Sequence, residues 1–442
     1  MKAEWKEIKQ PQTWMAGVEW FFFIFANIVI IPLTIGKAFE LKQDDVLTMV
    51  QLSFVVTGIA CITQAIIGHR RAILEGQSGL WWGMILSTVG IAASQDISLQ
   101  ELGGSLTVGI LISSVLTVLI GAFGWGPAIA KLFKPGVMGV FMLLFGFQLV
   151  DIFLKGMLGI PVGNTPHSAT INGSIALFSI VLAVLMIIVN IVAPTRISKY
   201  TLLGGIVVGW IAFAMLIGEE QTVKADAVFT FEWFLLGKPS WNVGIITMAI
   251  ITGLLNLANT FGALKGTEEF YESKTTQGQY DRSLGVSGIF TGISGLFGLV
   301  PYAPFVSSIG FLEQAGIVKR LPFIIGGALF ILIGAISPLA HLFSNIPISI
   351  GSTVLFVAYL QLLHSSLEFL RQIEFTKTTI YRSAIPLFAG VAIMILPTSY
   401  FSSLPEVLQP LLGSGLLVGI CLSLLLENTV NWDSIGKKNE SE

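Results

Sequence analysis

Apolar stretches about as long as a bilayer is thick recur from Trp14 to the neighbourhood of Leu426, separated by short polar connections. A helix needs about 20 such residues to cross the hydrocarbon core. Continuous spans read at 14–36, 46–67, 104–123, 136–154, 172–193, 200–217, 242–264, 283–300, 321–341, 348–369, 383–400 and 406–426. With 54% of its 442 residues hydrophobic, 11% charged and a mean hydropathy of +0.82, the chain has no stretch left for a soluble domain and reads as an all-α polytopic membrane protein. Met1 to Lys9 is charged and amphipathic, unlike a cleavable leader, so the first span is expected to be retained. Cys61 and Cys421 both lie in apolar spans, which argues against a disulfide framework or a thiolate metal site.

Two shorter segments remain. Ala72 to Ala93 carries Glu75-Gly76-Gln77-Ser78-Gly79 near its start, and Val300 to Val318 is broken by Pro301, Pro304 and Gly310 around Ser307-Ser308. Counting both as crossings gives fourteen spans. With the amino end inside, 19 of the 24 Lys and Arg residues then fall on the inner side, and only Lys37, Lys42, Lys155, Lys224 and Lys238 on the outer. Cytoplasmic loops should carry that excess, so both segments read as true crossings with both termini cytoplasmic.

Fourteen spans divide into two sevens, and each short segment is the third of its half. That is the pattern of a transporter built as a 7+7 inverted repeat, with half-helices at segments 3 and 10. Pro135-Gly136-Val137-Met138-Gly139 with Gln148, and Pro347-Ile348-Ser349-Ile350-Gly351 with Gln361, open the fifth span of each half. Helix-broken backbone at membrane depth is tolerated only where protein or a wet cavity satisfies it, which places a site at the two breaks. The alternative is that these Gly and Pro residues only kink ordinary helices.

These residues resemble the nucleobase-ascorbate transporters, or nucleobase:cation symporter 2 family, over nearly the whole chain. Glu19-Trp20 with Pro32 is similar to the Gln-His pair and proline of that family's first span. Lys134 to Gly146, Tyr200 to Gly209, Gly327 to Gly334 and Asn345-Ile346-Pro347 match further elements, and Gly298 to Gly310 runs without a gap into the position of its [Gln/Glu]-Asn-x-Gly signature. The resemblance implies a membrane permease for a purine such as xanthine or a pyrimidine such as uracil. It would work by alternating access of a core domain (1–123 and 241–345) against a gate domain (124–218 and 346–428), with 429–442 as a cytoplasmic tail. Family members mostly couple to H+ or Na+, and gate-domain dimers are common among them; the residues leave coupling ion and homodimer open.

The departures fall where substrate and protons would be handled. Asn259 stands where the eighth span usually has a glutamate, Ser307 and Ser308 replace the Gln/Glu-Asn pair, Ala315 replaces a threonine, and Gly79 takes the place of an aromatic residue. Gln77, Ser78, Gly79, Trp81, Asn259, Val306, Ser307 and Ser308 are therefore the expected substrate contacts, an uncharged set able to hydrogen-bond the edge of a heterocycle and stack on its face. Proton coupling is expected to be weaker, different or absent.

Acidic residues in apolar spans are costly and usually functional. Glu19 and Glu313 are the coupling candidates; the alternative for Glu19 is a carboxyl hydrogen-bonded to neighbouring helix groups or close to the headgroups, and for Glu313 a vestibule charge paired with Lys319 or Arg320. Asp151 reads as solvated, and Glu75 as an ion-pair partner of Arg70 and Arg71. His69, His167, His341 and His364 lack metal-ligand spacing and read as interfacial or capping groups. No phosphate-binding G-x-x-x-x-G-K-[S/T] exists, and no catalytic constellation marks an enzyme. No cofactor, metal or nucleic-acid partner is expected. The rival reading is an anion transporter or channel of the related sulfate-permease fold, whose facing half-helix dipoles favour anions; the short tail expected here lacks that group's regulatory domain.

Overall fold

The computed structural model describes residues 4–94, 97–160, 170–198, 200–218, 231–401, 403–405 and 408–432. His167, Lys224 and the tail from 433 onward lie outside them. Among the described residues seven helices are long and apolar enough to cross a membrane, and a bent pair makes eight if it forms one span. Shorter apolar helices occupy Thr201–Leu216, Tyr381–Ile395 and Gly415–Thr429.

The bent pair corrects the continuous span expected over 321–341. Arg320–Ala335 and Ser337–Phe343 meet at 99°. Pro338 cannot donate to the carbonyl four residues back and its ring crowds it, so the helix stops. The Gly334 carbonyl freed in this way accepts Gln51 Nε2 (3.4 Å), which also reaches Ser337 Oγ (3.0 Å). Helix starts elsewhere carry the usual oxygen caps: Ser98, Asn242 and Thr276 each accept a backbone N–H from the first turn, Thr276 in a reciprocal box with Gln279.

Two groups of helices pack mainly among themselves. One contains Pro11–Ala38, Gln43–Ile66, Leu99–Ala122, Val243–Gly266, Gln277–Phe297 and Arg320–Ala335; the other contains Pro135–Met157, Gly173–Val192, Thr201–Leu216, Ile348–Leu370, Tyr381–Ile395 and Gly415–Thr429. In the first group the packing is reciprocal. Gln43–Ile66 lies on Arg320–Ala335 as Leu99–Ala122 lies on Gln277–Phe297, and Pro11–Ile28 lies on Arg320–Ala335 as Val243–Gly266 lies on Leu99–Ala122. Small residues set the close approach: a Cβ on Gly58 would stand 2.5 Å from the Gly327 carbonyl oxygen, and one on Gly288 would stand 2.9 Å from Val118 N.

Both broken segments begin as strands, which nothing in the hydropathy pattern announces. β1 (Glu75–Gln77) leads into the helix Gly79–Ser94, and β2 (Tyr302–Pro304) leads toward Ser308–Ala315. They pair antiparallel, Glu75 opposite Pro304, Gly76 opposite Ala303 and Gln77 opposite Tyr302. Gly298, at φ +71°, ends the preceding helix in the left-handed conformation that glycine tolerates, and Pro301 and Pro304 keep the chain extended. The ladder is continued by Ser78 N–H to Pro301 O and Phe305 N–H to Leu74 O, each 2.7 Å. Two breaks that would each leave orphaned backbone in an apolar interior satisfy one another.

Candidate functional site

The strand crossing places a short polar network against the helix Val243–Gly266. Asn256 and Asn259, one turn apart, face the start of the helix Gly79–Ser94. Ser78 Oγ donates to Asn256 Oδ1 (2.6 Å), and Asn259 Nδ2 donates to the same oxygen (3.0 Å) while lying 3.4 Å from Ser78 Oγ. Asn256 Nδ2 donates to the Tyr302 carbonyl (3.0 Å), tying the network to β2. Beside it is a small pocket of about 20 Å³, lined by Ser78 and Gly79 at the first break, Val306 and Ser307 at the second, Asn259 of the first helix group, and Phe145 and Tyr359 of the second. The buried Ser307 hydroxyl has no hydrogen-bond partner.

Five of the eight expected contacts therefore converge, and three do not. Gln77 Nε2 donates to Ser53 Oγ (2.9 Å) on the far side of the strand, as alternation along β1 requires. Ser308 Oγ accepts the Leu74 N–H (3.0 Å) and holds the crossing together. Trp81 is buried one turn beyond Ser78 against a second cavity of about 10 Å³, which it lines with Ser287, Thr291, Asn256 and Tyr302.

Phe145 and Tyr359 were not expected at the site. A Cβ on Gly79 would stand 2.7 Å from the Phe145 ring, so the missing side chain at Gly79 is what admits that ring. The two rings sit edge to face, centroids 6.3 Å apart. An aromatic surface is thus present, supplied from the opposite helix group.

Next to this pocket, and sharing Val306, Ser307, Tyr359 and Leu362 with it, is a cavity of about 450 Å³. Glu19 and Glu313 both line it. The Tyr200 hydroxyl donates to Glu19 Oε1 at 2.8 Å. Lys319 pairs with Glu7 (2.7 Å) and not with Glu313. Asp151 pairs with Lys155 at the surface, in keeping with a solvated position.

Glu75 departs from its expected partners. Arg71 turns away from it and donates to Leu264 O (2.6 Å), Thr267 Oγ1 (3.1 Å), Thr275 Oγ1 (3.0 Å) and Ser273 O (3.1 Å). The Glu75 carboxyl is fully buried, accepts Gln64 Nε2 (3.0 Å) at one oxygen and has no partner at the other. His69 does cap: its Nδ1 accepts the Arg71 N–H (3.1 Å), and burial together with the Arg71 charge pushes its pKa down to about 3.

The sequence model of the permease family Xan_ur_permease matches residues 11–399. The chain belongs to this family. Across 95% of its length the permease is 28% identical to YwdJ of Bacillus subtilis (strain 168), provisionally named a purine permease, and the match covers 96% of that protein. The xanthine permease of the same organism is 23% identical over 98% of the present permease and 96% of its own length. Among solved structures, the transmembrane domain of the cyanobacterial bicarbonate transporter BicA superimposes with a TM-score of 0.58, covering 95% of the permease and 98% of that domain at 16% identity. At that identity the likeness is one of fold.

Proposed function

We propose that this permease carries a planar, neutral nucleobase of the purine class across the cell membrane by alternating access. The observation that carries the reading is the small pocket. Hydrogen-bonding groups of Ser78, Asn259 and Ser307 line it together with the rings of Phe145 and Tyr359, which suits the polar edge and flat face of a base. At about 20 Å³ it is too small for a base, so the base enters as the two helix groups separate and Phe145 leaves Gly79.

The finer architecture follows from the same groups. The self-packed first group corresponds to a core of 1–123 and 241–345, and the second to a gate of 124–218 and 346–428. Reciprocal packing within the core and the antiparallel β1–β2 pair support a 7+7 inverted repeat with fourteen crossings. The cavity of about 450 Å³ lies between core and gate and is lined by Glu313, six residues before Lys319; the Lys and Arg distribution makes that end cytoplasmic, which supports reading this state as inward-facing with both termini on that side. Proton coupling is weaker, different or absent by comparison with the family pattern, since no carboxylate stands at Asn259 or Ser307 to serve it.

An anion carrier shares the fold, but the sequence relatives named above are purine and xanthine permeases, and the likeness to BicA is one of fold alone. Uptake of labelled xanthine in a transport-null host, competed by bases and by small anions, tests the assignment. Purines are expected to compete; competition by bicarbonate or sulfate with none by bases overturns it.

A further inference from the structure

The network at the pocket continues past it. Asn256, which joins Ser78 to Asn259, also lines the cavity of about 10 Å³, with room for about one water molecule. Ser287 forms another wall of that cavity, and its Oγ lies 3.1 Å from Gln64 Nε2, the same group that donates to Glu75 Oε2. A polar path therefore runs from the substrate pocket through Ser78 and Asn256, across the cavity, and along Ser287 to a buried carboxyl. Glu75 sits on β1, three residues before Ser78.

Among the described residues, nothing facing Glu75 supplies a positive charge. From the helix Gln43–Ile66 come Cys61, whose Sγ donates to the Glu75 carbonyl (3.3 Å), and Gln64. From β2 comes the buried phenol of Tyr302, paired with Thr57 (2.9 Å). The helix Gln277–Phe297 contributes Ser283 and Ser287, while its Arg282 donates to Gly68 O (3.2 Å). In the preceding loop, the His69 N–H lies 3.3 Å from Gln64 Oε1, and Arg71 is spent on the Leu264–Thr275 segment. A lone carboxylate in such surroundings is strongly disfavoured, and Glu75 Oε1 has no hydrogen-bond partner.

We propose that Glu75 takes up and releases the coupling proton of this permease, communicating with the substrate pocket through Ser78, Asn256, the small cavity and Ser287. Uptake forms an O–H bond at a Glu75 oxygen with a proton from water, and release breaks that bond and returns the proton to water; nothing is oxidised or reduced. The carboxyl function absent from Asn259 is thereby moved to the strand that crosses beside it. The inference rests on the permease reading above.

The test uses the purified full chain in proteoliposomes, with labelled xanthine as the probe. Counterflow measures exchange without net coupling, and accumulation under an inward proton gradient measures coupling. With one proton per base, a gradient of about one pH unit drives about tenfold accumulation by the wild type. Glu75→Gln, which keeps shape and hydrogen bonding, is expected to exchange xanthine but not accumulate it, with its pH dependence flattened. Ser287→Ala, which keeps the carboxyl and removes the hydroxyl beside it, shifts the pH midpoint of uptake while counterflow persists. Accumulation by Glu75→Gln equal to wild type, or wild-type exchange with no response to the gradient, overturns the proposal. Infrared titration of the substrate-free protein reads Glu75 independently of transport. A protonated-carboxyl band at neutral pH that disappears in Glu75→Gln supports the assignment, and its absence from the wild type overturns it even where no exchange of xanthine is found. Failure of wild-type counterflow alone counts against the permease reading.

Discussion

The Tyr200 hydroxyl donates to the Glu19 carboxylate at 2.8 Å, joining the helix that begins the first packing group to one in the second. Both residues line the larger cavity. Any motion that separates the groups must stretch it.

Tyr200→Phe removes that donor while keeping the ring. A hydrogen bond to a partly solvated carboxylate contributes about 1 kcal/mol net, so the inward-facing state should lose about fivefold in population against its alternative. Maleimide labelling of Ser365→Cys in the cavity, in a Cys421→Ser background, is expected to slow accordingly. Unchanged labelling with unchanged uptake would show that the contact does not bias the equilibrium.

Gly79 and Phe145 occupy one space between them. Gly79→Phe forces the two rings together and overpacks the seam by about 1–3 kcal/mol, which should abolish uptake. Combining it with Phe145→Ala transfers the ring to the other side of the pocket and is expected to restore measurable xanthine uptake. Equal loss in the double variant and in Gly79→Phe would mean that the ring has no function beyond filling.

In the second group, Arg382 grips the fully buried Glu427 through Nε (2.7 Å) and Nη2 (2.6 Å), and Lys134 Nζ donates to the Glu427 carbonyl (2.6 Å). Arg382→Met strands a buried carboxylate and should lower stability by about 3–5 kcal/mol, read as a fall in the melting temperature in detergent. The double variant with Glu427→Leu is expected to recover most of that loss, because the cost lies in the uncompensated charge.

Spans were legible because burial in lipid is recorded residue by residue as hydropathy, and the broken stretch at Val300 to Gly310 because proline and glycine interrupt that record. Ser78 and Ser307 were legible as polar residues at the two breaks, and Asn259 through the family resemblance, as the position where a glutamate usually stands. The β1–β2 pair was not: two three-residue strands leave no periodicity, and their pairing joins residues far apart in the chain. Phe145 looked like any aromatic in an apolar helix until Gly79 was placed against it. Glu75 follows Arg70 and Arg71 closely enough to promise an ion pair. The turn at Gly68 to Leu74 instead points Arg71 at the Leu264–Thr275 segment and carries Glu75 inward to Gln64.

Equilibrium binding of labelled xanthine to the purified permease tests the central claim most directly. Saturable binding is predicted, displaced by unlabelled purines and not by bicarbonate, unchanged by the surface substitution Asp151→Asn, and weakened about tenfold by Asn259→Ala and by Phe145→Ala. Binding that survives both pocket substitutions at full affinity, or that bicarbonate displaces, would contradict it.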